Sequence, residues 1–199
     1  MNNFFTELTT LLINGGWLMI PLALLSCVIY YSAADLYFLL KEQRSNFKDE
    51  DEWVHWLEKP DDAKGDLKEI FEYTQSNVRT IDDIKARFAE VKSAHIPYLD
   101  QRLKFLVIII SAAPLTGLLG TVTGMLTTFA GLSSSGGGDT IDLVAGGISE
   151  ALITTETGLV LAIPAYIIAS RIRKMRDEFE HFLRKAETLT QKKFIQKVF

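Results

Sequence analysis

The sequence predicts an all-α membrane protein: three transmembrane helices with long helical cytoplasmic extensions. Three observations carry this. The apolar residues of the 199-residue chain gather in three blocks instead of spreading as in a soluble core. Each block reaches the roughly 20 residues that a spanning helix needs. All 21 Lys and Arg fall in two segments, 12 in Lys41–Lys104 and 9 in Arg171–Lys197, leaving the other connections free of them. Basic residues collect on cytoplasmic flanks, so the N-terminus is expected outside, the first helix running inward and the C-terminus inside.

Residues 1–16 form an outer N-terminal segment, whose mixed apolar spacing allows an amphipathic turn or two at the interface. Gly15-Gly16 breaks it and Trp17 is an interfacial anchor. The first span, 17–40, carries Asp35 as its only charge; near the inner end, this carboxylate can snorkel to headgroups or to Lys41. Cys27 reads as a small apolar packing residue. Segment 41–104 is predicted cytoplasmic and helical, with short helices over Asp49–Glu58 and Ala63–Asn77 separated by Pro60. Thr80 and Asp83 match a capping box, and Ile81, Ile84, Phe88 and Val91 recur at helical spacing. Pro97 is expected to kink or break that helix. The second span, 105–132, has no charged residue, and an outer turn, 133–140, follows it, with Asp139 or Thr140 capping the next helix. The third span, 141–170, holds Asp142, Glu150 and Glu156. In the C-terminal helix, 171–199, Ile172, Met175, Phe179, Phe182, Ala186 and Leu189 repeat an apolar stripe that should pack on the loop helices.

Several functions are disfavoured. The net charge of −4 arises where acids and bases share segments, and no basic stripe interleaves with aromatics, so nucleic acid is not an expected ligand. A basic n-region is missing, which argues against a cleaved signal peptide. His55, His95 and His181 lack metal-ligand spacing. Ser133–Gly138 has glycines but no neighbouring Lys or preceding strand, unlike a phosphate-binding loop. No membrane histidine or suitably placed Ser/His or Asp pair suggests an intramembrane enzyme, and no cofactor is implied.

The last two spans are unusual in composition. Gly117, Gly120, Thr121, Gly124 and Thr128 share one face of the second. This suits close helix packing in lipid or a partly wet, hydroxyl-lined path. On the third, Gly147, Ala151, Thr154, Gly158 and Ala165 share a narrow face that Glu150 borders, with Thr157 beside it, while Glu156 points away with Ile163 and Ile167. A charge at the bilayer centre costs ~2.5–3.5 kcal/mol on the lenient insertion scale. With no Lys or Arg in the hairpin, each glutamate must be protonated, reach water or meet a polar partner. Such acids mark ion or proton paths or serve as neutral hydrogen-bonding groups. Three helices cannot enclose a wet path alone, so copies are expected to associate around a shared axis.

At Leu115–Met125 (LTGLLGTVTGM) and Ile148–Ala165 (ISEALITTETGLVLAIPA) the sequence resembles the ExbB/TolQ/MotA proton-channel family, and most of all its three-span ExbB/TolQ branch. The resemblance implies an inner-membrane motor subunit, a homopentamer whose second and third helices line a central pore. A single-span ExbD/TolR-like dimer would sit inside, with H+ rather than Na+ as coupling ion and a TonB- or TolA-like protein receiving the force. By motif, Glu150 matches the pore glutamate, and Thr121 and Thr155 the pore threonines. Thr154 and Glu156 are further pathway candidates; Glu156 departs from relatives with a small apolar residue there. Gly117, Gly120, Gly124, Gly147 and Gly158 are the packing residues. A passive membrane scaffold without ion coupling is the alternative, and it leaves the two acids without purpose.

Overall fold

In lipid, each backbone N–H and C=O must find its partner inside the spanning segment, and the apolar blocks fold as helices. A computed structural model describes residues 15–46, 53, 55–56, 63, 65–76, 78–134 and 140–198. Its helices are α1 (Met19–Asn46), α2 (Asp66–Gln75), α3 (Ile81–Ser134) and α4 (Thr140–Val198). The outer amphipathic segment, most of the expected helix over Asp49–Glu58, and the turn with its Asp139 cap lie outside the described residues. Three helices are long and apolar enough to cross a membrane, within α1, α3 and α4, making this a multi-pass membrane protein. At 1.5 Å per residue, the 54 residues of α3 and 59 of α4 extend roughly 80–90 Å, far beyond a ~30 Å hydrocarbon core.

The helices divide between two compact units, Met1–Ala33 with Phe105–Ala169 and Ala34–Lys104 with Ser170–Phe199. The second carries every Lys and Arg. Its core unites Phe71 of α2, Ile84 and Phe88 of α3, and Phe179 and Phe182 of α4, all buried. Trp53 and Phe71 meet Phe182 edge-on, at centroid distances of 4.9 and 6.1 Å, a geometry that adds about 0.5–1.5 kcal/mol per pair beyond area burial. The apolar stripe predicted for the C-terminal helix is this core face, with Leu189 at its half-buried margin.

Local chemistry sets the helix ends. Thr80 and Asp83 form the capping box: Asp83 N–H donates to Thr80 Oγ1 (3.2 Å), and the N–H groups of Thr80 and Arg79 donate to Asp83 Oδ2. Those bonds, led by the Arg79 amide, hold the Asp83 carboxyl below its ordinary value. Helix α2 starts at Asp66 instead of Ala63, because Gly65 enters it at φ 59°. The break expected at Pro97 is absent, and α3 runs through it. Pro97 and Ser93, whose carbonyl loses its N–H partner, are both exposed, whereas Ile96 and Leu99 are buried. Solvent can satisfy the orphaned carbonyl while flanking side chains hold the helix in place.

Ion pairs tie this unit's helices together. Asp35 pairs with Arg102 (2.6 Å), not with Lys41, which lies over the Tyr37 ring. Arg176 Nε meets Asp100 (2.7 Å) and its Nη1 meets Glu180 (2.5 Å). Lys92 reaches Glu187 (2.6 Å). A hydrogen bond from Arg184, assisted by the charge of Arg176, keeps Glu180 below its ordinary carboxyl value.

In the other unit, α3 and α4 lie antiparallel along a seam of small residues. A Cβ at Gly117 would stand 2.8 Å from the Thr154 carbonyl oxygen, and one at Gly158 2.7 Å from the Ala113 carbonyl oxygen. Gly120 faces the Thr154 side chain, Gly124 faces Ala151, and Gly147 faces Thr128. Helix α1 runs parallel to α4, with Gly16 beside Glu150 and the Tyr30 hydroxyl donating to the Leu161 carbonyl (3.2 Å). Cys27 is exposed on the chain instead of buried against it.

Two outcomes follow from this packing. Gly120→Ala places a Cβ 2.1 Å from Thr154 Oγ1, whereas Gly146→Ala meets nothing within 4 Å. Thermal unfolding in detergent should show Gly120→Ala destabilised by about 1–3 kcal/mol, the cost of overpacking, and Gly146→Ala near wild type; equal effects would refute the seam. Because Glu180 is depressed below 4.5, its contribution is complete above that pH and lost as pH falls toward its folded-state value. Tryptophan fluorescence in a Trp17→Phe background should give a melting temperature that is flat from pH 7 to about 5 and then falls. Glu180→Gln should shallow that fall.

Candidate ion-path site

The unit formed by Met1–Ala33 and Phe105–Ala169 contains no Lys or Arg. Its acids therefore have no basic side chain of their own unit to neutralise them. What it offers instead is hydroxyl groups and backbone carbonyls, arranged by the glycine seam.

Thr155 Oγ1 donates across the seam to the Gly117 carbonyl at 2.9 Å, which close approach at Gly117 makes possible. Such interhelical bonds in membranes average about 0.6 kcal/mol, so this one orients more than it stabilises. Thr154 is 2% exposed; its hydroxyl donates to Ala151 O (2.8 Å) and lies 3.5 Å from Gly117 O. It sits inside the seam, between α3 and α4. Thr121 is half-buried and donates to Leu118 O of its own turn (2.7 Å). Thr157 and Thr128 likewise bond within their helices. Each hydroxyl spends its proton on a carbonyl, leaving oxygen lone pairs to accept from a water, a protonated acid or a partner group.

The two glutamates have different surroundings. Glu150, half-buried, turns out of the seam toward the start of α1, where its Oε1 lies 1.8 Å from the position a Cβ of Gly16 would take. It is level with the turn that enters the first span, not with the middle of that helix. Glu156, about 1.7 helical turns or about 9 Å further along α4, is exposed among the exposed Leu152, Ile163 and Ile167. No described hydrogen bond joins Glu150, Thr121 and Thr155 to one another. Within one chain, then, Thr155 and Thr154 converge on Gly117, while Glu150, Thr121 and Glu156 remain separate.

Sequence reasoning missed two polar contacts in this unit. Ser111 and Tyr166 share a hydrogen bond across the hairpin at 2.7 Å, and Tyr30 reaches Leu161. A phenol within an apolar block is the signal that could have flagged both, since a buried or lipid-facing hydroxyl seeks a partner. By sequence Gly16 is a breaker, and its contact with Glu150 has no local signature. Among the described residues, no group of acids, histidines and cysteines is placed to hold a metal.

Only 22%, 28% and 28% of the most apolar stretches of α1, α3 and α4 are buried within the chain. The remainder needs lipid or other helices around it. The MotA/TolQ/ExbB proton channel family model matches residues 64–185. An ExbB-like biopolymer transport protein of Synechocystis is 51% identical over 67 residues, 33% of this chain and 26% of that protein. The Tol-Pal system protein TolQ of Haemophilus influenzae is 36% identical over 98 residues, 47% of this chain and 42% of that protein. These matches thus span well under two thirds of either relative. The biopolymer transport protein ExbB of Helicobacter pylori is 32% identical over 131 residues, 66% of this chain and 77% of that protein. With a family match over most of its length and a relative similar along three quarters of its own, the chain belongs to the MotA/TolQ/ExbB proton channel family.

Proposed function

We propose that this protein is a subunit of an ExbB/TolQ-type motor driven by the proton-motive force in a bacterial inner membrane. The observation that carries it is the pairing of two acids with a hydroxyl-rich helix hairpin in a unit devoid of basic residues. In this reading five copies place α3 and α4 around a central pore, which also covers apolar surface that one chain leaves open. A single-span ExbD/TolR-like dimer with a membrane aspartate occupies that pore. The N-terminus is periplasmic and the charged unit cytoplasmic, as the distribution of Lys and Arg supports. Force passes to a TonB- or TolA-like protein, for transport across the outer membrane or its maintenance.

The chemistry is electrostatic. Each charge moved down the potential releases ~2.3 kcal/mol per 100 mV. Protonating the partner's aspartate removes its charge and its attraction to threonine hydroxyls; deprotonation toward the cytoplasm restores that attraction at a neighbouring subunit. Thr121 and Thr155 are the orienting groups, whose hydroxyls turn from the Leu118 and Gly117 carbonyls to donate to the ionised aspartate; Thr154 holds the seam behind them, and Glu150 is the relay or electrostatic bias. Glu156 is the second acid, reached if α4 presents its other face. H+ is the coupling ion, since Na+ calls for a fuller polar coordination shell.

The test is proton flux in vesicles together with growth on the energised process. Glu150→Gln should lower proton-driven output by about a hundredfold, on the scale of a lost proton-transfer group, and the wild-type process should collapse with an uncoupler. Full activity of Glu150→Gln excludes the relay role. An uncoupler-insensitive process favours the scaffold.

A further inference from the structure

We propose that Gly16 is a positioning residue for Glu150: the turn that enters α1 receives the glutamate's carboxylate within the same chain. Two independent features of Gly16 meet here. Its φ of 68° lies in the left-handed region, which a residue lacking a Cβ adopts without strain. And its missing side chain is the space that Glu150 uses, because a Cβ would stand 1.8 Å from Oε1 and 2.8 Å from Cδ. Any larger residue at this position displaces the carboxylate. The contact lies at the turn that enters α1, where the Gly16 carbonyl accepts from Met19 N–H and the Trp17 carbonyl from Ile20 N–H, each at 3.2 Å, so the carboxylate stands against ordered turn backbone. Helix α1 thereby does more than anchor the chain, since its entry turn sets where the acid of α4 stands before any partner arrives. The contact is local to one chain, and its placement stands whether or not Glu150 carries protons; the effect on output rests on the function proposed above.

Cross-linking tests the placement directly. A sulfur at the Glu150 Cγ position would lie 3.4 Å from a Cβ at position 16, close to the span of a disulfide. In a Cys27→Ser background, the pair Gly16→Cys and Glu150→Cys should form a reducible bond in membranes under mild oxidation. The product should stay at the mass of a single chain. Gly16→Cys with Gly146→Cys should give little. Cross-linking only between chains, or none in the first pair, overturns the proposal.

A second variant guards against strain at the left-handed position. Gly16→Ala should lower proton-driven output about tenfold, within the coupling range of touching residues. Adding Glu150→Asp, one methylene shorter, should restore output to that of Glu150→Asp alone. Strictly additive losses would point to backbone strain only and also reject the role. The two levels of the account separate cleanly. If Glu150→Gln is fully active while the intrachain bond forms, the relay fails and the placement stands. If Glu150→Gln is inactive and no intrachain bond forms, the reverse holds.

Discussion

Backbone contact between α3 and α4 is the constraint from which the membrane unit follows. In lipid there is no hydrophobic force to join two apolar helices, and close van der Waals packing must do it. Gly117, Gly120, Gly124, Gly147 and Gly158 remove the side chains that would keep the backbones apart. Once the seam closes, the rotation of each helix is fixed. Thr154 is enclosed, Thr155 reaches the Gly117 carbonyl, Glu150 turns toward α1, and Glu156 faces outward. The polar geometry is thus a consequence of where the glycines are.

The two units divide the electrostatics. One holds acids and hydroxyls without a single Lys or Arg; the other holds every basic residue and pairs several with acids, among them Arg176 with Asp100 and Glu180. A fixed negative charge without a counterion is costly in a medium of low dielectric, and a proton is the simplest neutraliser. That asymmetry gives a family of proton channels its physical rationale in this chain. The paired charges and the aromatic core around Phe182 hold the long helices together outside the apolar blocks.

Much of this was legible in the sequence because it is periodic or compositional. The three apolar blocks, the capping box at Thr80 and Asp83, and the stripe from Ile172 to Ala186 all rest on local spacing, and the structure matches them. The face shared by Gly147, Ala151, Thr154 and Gly158 was equally readable. What escaped were contacts between residues far apart in the chain. Asp35 chooses Arg102 over the nearby Lys41, 67 positions against six, because helix packing brings the guanidinium alongside. Pro97 looked like a breaker because local rules ignore the flanking Ile96 and Leu99 that hold the helix. Gly16 looked like punctuation because the group it accommodates is carried by α4. Helical spacing alone leaves open whether the threonine face looks into a pore or into its own hairpin; for Thr154 it is the hairpin.

An experimental structure of the assembled protein in lipid, with its partner present, tests the central claim most directly. The account predicts several copies around one axis, with Thr121 and Thr155 on the inner wall and Glu150 within reach of water from it. Glu150 and both threonines surrounded by acyl chains at the outer rim would contradict it.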